Sequence, residues 1–105
     1  MANPWRGDVA LVIDGRRHVL RLTLGALAAL EAELDTGSLV KLVERFEASE
    51  FSSRDVLALL RAGLVGGQCE FDPADLEHAA IDGGPMRAAQ VAAELLARAF
   101  MVPNP

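Results

Sequence analysis

VALVIDGRRHVLRLTLGALAALEAEL, running from Val9 to Leu34, decides the fold. Its first half alternates, its middle carries Asp14-Gly15, and its second half repeats apolar residues at helical spacing. Asp-Gly between two alternating runs is a strong hairpin signal, because both residues tolerate the positive φ of a tight two-residue turn. Such a turn sets the register: Ile13 opposite Arg16, Leu11 opposite His18, Val9 opposite Leu20 and Asp8 opposite Arg21. Val9, Leu11, Ile13, His18, Leu20 and Leu22 then share the core face, while Ala10, Val12, Arg17, Val19 and Arg21 share the other. A lone hairpin is marginal in water, so the core face must rest on the helix that follows. Thr23 caps that helix, Leu24, Leu27, Ala28, Leu30 and Leu34 give it an apolar face, and Thr36-Gly37 ends it.

Downstream the chain reads as further helix. Ser38 caps Leu39–Ala48, whose Leu39, Leu42, Val43 and Phe46 lie on one face. The starts EFSSRDV (50–56) and EFDPADL (70–76) share a cap with Asp three residues later, a variant of the capping box, each preceded by a Phe placed to staple the entry. They predict helices from Ser52 to Gly66-Gly67 and from Asp72 to Gly83-Gly84, the second with Pro73 at its first position. The last helix is expected from Pro85 to Met101, with Arg87, Gln90, Glu94 and Arg98 on a narrow polar stripe and Met86, Val91, Leu95, Leu96 and Phe100 on the rest. So apolar a helix is either central to the core or covered by another chain, and the second is the expectation. Upstream, residues 1–7 form an arm, with Trp5 expected to dock on the body. The fold class is α+β: one domain, with an arm (1–7), a hairpin (8–23) and a helical body (24–101) of four to five α-helices on which the hairpin packs.

A chain of 105 residues, 51% hydrophobic, is long enough for one core without disulfides or metal and too short for two. A net charge of −5 argues against nucleic acid as a partner, since phosphate binding needs a basic face. That charge is divided unevenly: residues 1–23 carry a net +2 and residues 24–105 a net −7. A basic hairpin on an acidic body favours oriented self-association, solvated surface charge being the plainer reading. The single Cys69 leaves no internal disulfide and suggests a reducing, cytoplasmic setting. No run approaches the ~18 apolar residues of a membrane span, and no signal peptide is apparent.

No constellation stands out for chemistry. Asp75, His78 and Asp82 fall on one helical face with Asp72 before them, but capping explains Asp72 and Asp75, and His78 suits a solvated helix end. The serines sit at helix boundaries, without a nucleophile motif. Cys69 has no basic neighbour in sequence to lower its pKa, and His18 reads as a half-buried structural residue. Gly63-Leu64-Val65-Gly66-Gly67 lacks the Lys-Ser/Thr ending of a phosphate loop. The chain is therefore expected to be no enzyme and to need no cofactor or metal.

Taken together, NPWRGDVALVIDGRRHVLRLTLGALAALEAEL, the Leu-rich helix ending at ERF, FSSRDVLALLRAGLVGG, and the Ala-rich helix after DGGP resemble the small gene transfer agent and phage tail proteins classed with tail assembly chaperones. The resemblance covers almost the whole chain. It implies a non-catalytic morphogenesis factor of a phage, prophage or gene transfer agent, with the tape measure protein and the tail tube protein as partners. The expectation is an assembly chaperone that binds the tape measure protein and assists tail tube assembly; the alternatives are a structural, tail-tube-associated component of the particle and a small regulatory or ligand-binding domain. The resemblance supplies no site residues. From the chain's own pattern, the residues expected to bind protein are Val12, Arg17 and Val19 on the hairpin and Met86, Val91, Leu95 and Phe100 on the last helix. The hairpin's second face is more apolar than a wet face needs to be and its outer edge has no partner evident in the chain, so edge pairing or face burial by another copy in a homo-oligomer is expected.

Overall fold

A computed structural model describes residues 7–34 and 38–100. Strand β1 (Val9–Ile13) and strand β2 (Arg16–Leu20) form an antiparallel hairpin in the expected register, from Val9 opposite Leu20 to Ile13 opposite Arg16. Asp14 (φ 51°) and Gly15 (φ 80°) both adopt the left-handed conformation of a type I′ turn. The pairing extends one residue further through side chains: the Arg21 guanidinium donates to the Asp8 carboxylate at 2.6 Å, with Asp8 buried.

Helix α1 (Leu24–Glu33) follows at once, its first turn closed by the Thr23 hydroxyl accepting from the Ala26 N–H. Helix α2 (Leu39–Glu47) is capped by Ser38, and α3 (Ser53–Gly66) by a complete box in which Ser52 and Asp55 satisfy each other's backbone N–H. Phe51 stacks on Phe46 of α2, ring centroids 4.5 Å apart. The chain then makes a 3₁₀ helix (Pro73–His78) and ends, among the described residues, in helix α4 (Gly84–Ala99). Among the described residues the fold is thus a hairpin followed by four α-helices and one 3₁₀ helix, an α+β arrangement.

One core holds the elements together. It joins Val9, Leu11, Ile13 and Leu20 of the hairpin to Leu30 of α1, Leu42 of α2, Leu59, Leu60 and Leu64 of α3, and Val91 and Leu95 of α4. α3 runs through it, and its C-terminal end packs closely on the hairpin. A Cβ on Gly66 would stand 2.0 Å from the Arg21 carbonyl oxygen, and one on Gly67 2.2 Å from that of Val19. Gly63 lies against Leu20 and Leu95, and its carbonyl accepts the Arg21 N–H.

Three expectations are corrected here. The helix foreseen from Asp72 to Gly83-Gly84 stops at His78. Its Asp72 carboxylate caps Ala74, the backbone bonds tighten to the 3₁₀ pattern, and the chain leaves helix because residues 80–82 have a better partner. They lie against the outer edge of β1: Asp14 N–H donates to Ala80 O at 2.8 Å, Ala80 N–H to the Asp14 carboxylate at 2.8 Å and Asp82 N–H to Val12 O at 3.0 Å. Ile81 bridges Ile13, so the β1 edge of the hairpin is closed from within the chain. Second, the apolar face of α1 is set differently. Ala26 and Leu30 are buried, Ala28 is exposed and Leu24 is 84% exposed. Third, α4 is central to this chain's own core, with Ala88, Val91, Ala92, Leu95 and Leu96 buried. The arm, including Trp5, the Thr36-Gly37 helix stop and Met101 lie outside the described residues.

Candidate assembly surfaces

The residues expected to bind a partner divide sharply. Val91 and Leu95 of α4 are fully buried in the core and offer nothing to another chain in this fold. Met86 and Phe100 lie on the same helix and are exposed, 75% and 50%, near its two ends. Val12 is half-buried, and its carbonyl is taken by Asp82. Val19 is half-buried too, its carbonyl accepting the Cys69 thiol at 3.2 Å. Burial pushes that thiol above its ordinary pKa, which suits a packing role rather than a reactive one. Arg17 is exposed at the hairpin tip beside Arg16.

The polar stripe of α4 has a function that the sequence pattern does not reveal. Arg87 donates to the Ala10 carbonyl at 3.5 Å and Arg98 to the Asp8 carbonyl, while Glu94 lies between them at 3.7 Å and 3.8 Å. These arginines and residues 80–82 together occupy the outward carbonyls of β1 and close the edge against strand addition.

The edge of β2 is closed only at its inner end, by Gly63 and Cys69. In this register the N–H groups of Arg17 and Val19 point away from β1; that of Val19 lies by the Cys69 sulfur, and that of Arg17 finds no backbone partner among the described residues. Beside them a shallow cleft of about 250 Å³ is lined by Arg16, Arg17, His18, Val19, Gly67, Cys69 and Glu70. His18 is braced by the edge of Phe71, centroids 5.6 Å apart, as a half-buried structural residue.

A second surface was missed because helical periodicity cannot tell which of two apolar faces turns inward. α1 is apolar on both sides. Its outward face presents Leu24, Gly25, Ala28, Ala29 and Ala32. Val65, 61% exposed, comes from the antiparallel α3 at the end where Gly66 meets Thr23. A stretch apolar on both sides, as α1 is from Leu24 to Leu30, is ordinarily buried on both, and here one side is open.

At the opposite end of α3 a larger cavity, about 570 Å³, lies between α1, α2, α3 and the 3₁₀ helix. Arg45 grips Asp55 there through two hydrogen bonds, 2.9 Å and 3.0 Å, and Arg61 reaches Glu77 at 3.2 Å. Burial alone would raise the Asp55 carboxyl, but the Arg45 hydrogen bonds and charge and the Ser52 cap outweigh it and hold the pKa below the ordinary value of 3.8. The first pair ties α2 to α3 and the second ties α3 to the 3₁₀ helix. No cluster of three His, Cys, Asp or Glu able to hold a metal occurs among the described residues, and none of their helices is long and apolar enough to cross a membrane.

Residues 6–102 match a family model described as phage tail tube protein, GTA-gp10. No curated protein and no solved structure matches the chain.

Proposed function

Because the chain belongs to the phage tail tube protein, GTA-gp10, family, we propose that it is a non-catalytic structural component of a phage or gene transfer agent tail, assembling with copies of itself and with other tail proteins. The observation that carries this reading is a family match spanning residues 6–102, and with it every described element. The surface supports it: one side of α1 is apolar and open, and Arg16 and Arg17 at the hairpin tip are exposed and form no ion pair among the described residues. Assembly takes place in the cytoplasm in this reading, which draws on the single reduced cysteine.

Quantitative mass spectrometry of purified particles tests it. The chain is expected in stoichiometric amount with the other tail proteins, and its absence from finished particles would overturn the structural reading. A second reading, assembly chaperone for the tape measure protein, draws on the open face of α1. Small side chains between Leu24 and Ala32 would let a long amphipathic helix approach closely. Co-expression with the tape measure protein separates the two: a soluble co-purifying complex, combined with absence from particles, would favour the chaperone.

A further inference from the structure

We propose that the chain assembles head to tail with further copies of itself, the Arg16-Arg17 tip of one copy seating against a pole of glutamates at the far end of α3 in the next. The inference deepens the structural reading above and rests on it.

Two unpaired charge clusters make the argument. Arg21, Arg45, Arg61, Arg87 and Arg98 each hold a carboxylate, and Arg54 is engaged within the chain. Arg16 and Arg17 hold none among the described residues, and both are exposed. Between them lies the outward N–H of Arg17, which has no backbone partner among the described residues, so the tip offers both charge and a directed donor to an incoming carboxylate.

The acceptor is the opposite pole. α1 is antiparallel to α3, with Gly66 against Thr23 at one end and Glu33, Glu50 and Ser52 around one cavity at the other. α2 also ends at that pole, entering α3 through residues 48–52. Glu31 and Glu33 stand at the C-terminal end of α1, Glu44 and Glu47 at that of α2, and Glu50 follows. All five are exposed, and none forms an ion pair among the described residues. Glutamates at helix C-termini oppose the helix dipole, and Arg45, Arg54 and Arg61 in the same cavity are already engaged within the chain, so the five glutamates leave an excess of negative charge at this pole. The N-terminus of α3 arrives there as well, but the Asp55 carboxylate and Arg45 already occupy its cap.

Geometry forbids the two clusters from meeting within one copy. The cleft at the tip includes Gly67 and Cys69, just past the C-terminal end of α3, and the acidic pole surrounds its N-terminal end. The 14 residues of α3 separate them by about 21 Å of helix. Unlike surfaces at opposite ends of one molecule make a heterologous contact, which propagates into rings or filaments. A chain of net charge −5 repels its own copies unless they meet in this one orientation.

Charge reversal with complementation tests the proposal, read by sedimentation velocity of the purified full chain at low and high salt. The wild type is expected to form larger species at low salt that shrink as salt screens the contact. Arg16→Glu with Arg17→Glu, and separately Glu47→Lys with Glu50→Lys, should each weaken association by about tenfold or more while circular dichroism shows both folded. Mixing the two variants presents an acidic tip to a basic pole and should restore association, as should the fourfold swap in one chain. Three results would overturn the proposal: a wild type that stays monomeric at low salt, reversed variants that associate as the wild type does, or a mixture that fails to recover. Particle composition separates this from the wider reading. Particles that incorporate the Arg16→Glu, Arg17→Glu chain at the wild-type level refute the head-to-tail contact and leave the structural role standing. Particles lacking the wild-type chain refute the structural role itself.

Discussion

At the scale of single residues, the same substitution has opposite effects at two glycines. Gly66→Ala drives a Cβ to within 2.0 Å of the Arg21 carbonyl oxygen, a backbone atom that moves only if the α3–hairpin contact opens. It should cost at least the ~1–3 kcal/mol typical of overpacking. Gly25→Ala meets nothing nearer than the Thr23 hydroxyl at 4.0 Å, on an exposed helical position, and should stabilise by a few tenths to about 1 kcal/mol. Urea unfolding midpoints of the two variants check both signs. Asp55 gives a second case. Its carboxyl is depressed in the folded chain, so the stability it contributes is fully present above the unfolded value of 3.8 and is lost as pH falls through the lower folded value. Asp55→Asn should therefore cost about 1–3 kcal/mol at neutral pH, and its deficit against the wild type should narrow on acidification below about pH 4. A deficit independent of pH would mean that the Arg45 pair adds nothing to the cap. The cap itself was legible, since Ser52 and Asp55 stand three apart before an apolar run. Arg45 as its partner was not, because ten residues and a turn separate it from Asp55.

Elements show where local signals suffice and where they are overruled. Alternation and Asp14-Gly15 settle the hairpin to the residue, because side chains of period two and a two-residue turn admit one register. The segment after His78 goes the other way. Its helical signals are real, but three hydrogen bonds to β1 and Asp14 outcompete continuation of a short 3₁₀ helix. Helix α1 is apolar on both sides as far as Leu30, so its sequence does not say which side is buried, and mutation can. Leu30→Ala, at a fully buried position, should cost about 2–5 kcal/mol, whereas Leu24→Gln, at a position 84% exposed, should stay within about 0.5 kcal/mol. Equal losses at both would place the inward face wrongly. Glu47→Lys at the end of α2 should raise the stability of the monomer by about 0.3–1 kcal/mol by matching the helix dipole. The gain, measured at a concentration where the chain is monomeric, would show that the acidic pole costs the fold stability.

For the whole molecule, α4 bears most of the consequence. Val91, Leu95 and Leu96 bury about 1.5–3 kcal/mol of transfer free energy each, and a small domain has only ~5–15 kcal/mol of net stability. A chain truncated before Pro85 should show no cooperative unfolding transition by circular dichroism, so α4 cannot be removed as a detachable binding arm. The sequence by itself determined the α+β class, the hairpin register, the caps of the first three α-helices and the absence of any recognisable catalytic motif. Each of these depends on residues within a few positions of one another, where turn geometry, side-chain period and capping act directly. Only the tertiary structure decided that residues 80–82, Arg87 and Arg98 close the edge of β1, that Val91 and Leu95 face inward while Leu24 faces out, and that unpaired arginines and glutamates stand at opposite ends of α3. Those outcomes join positions tens of residues apart, and they follow from which apolar surfaces fill the core first, leaving the remaining charges and faces wherever that packing puts them.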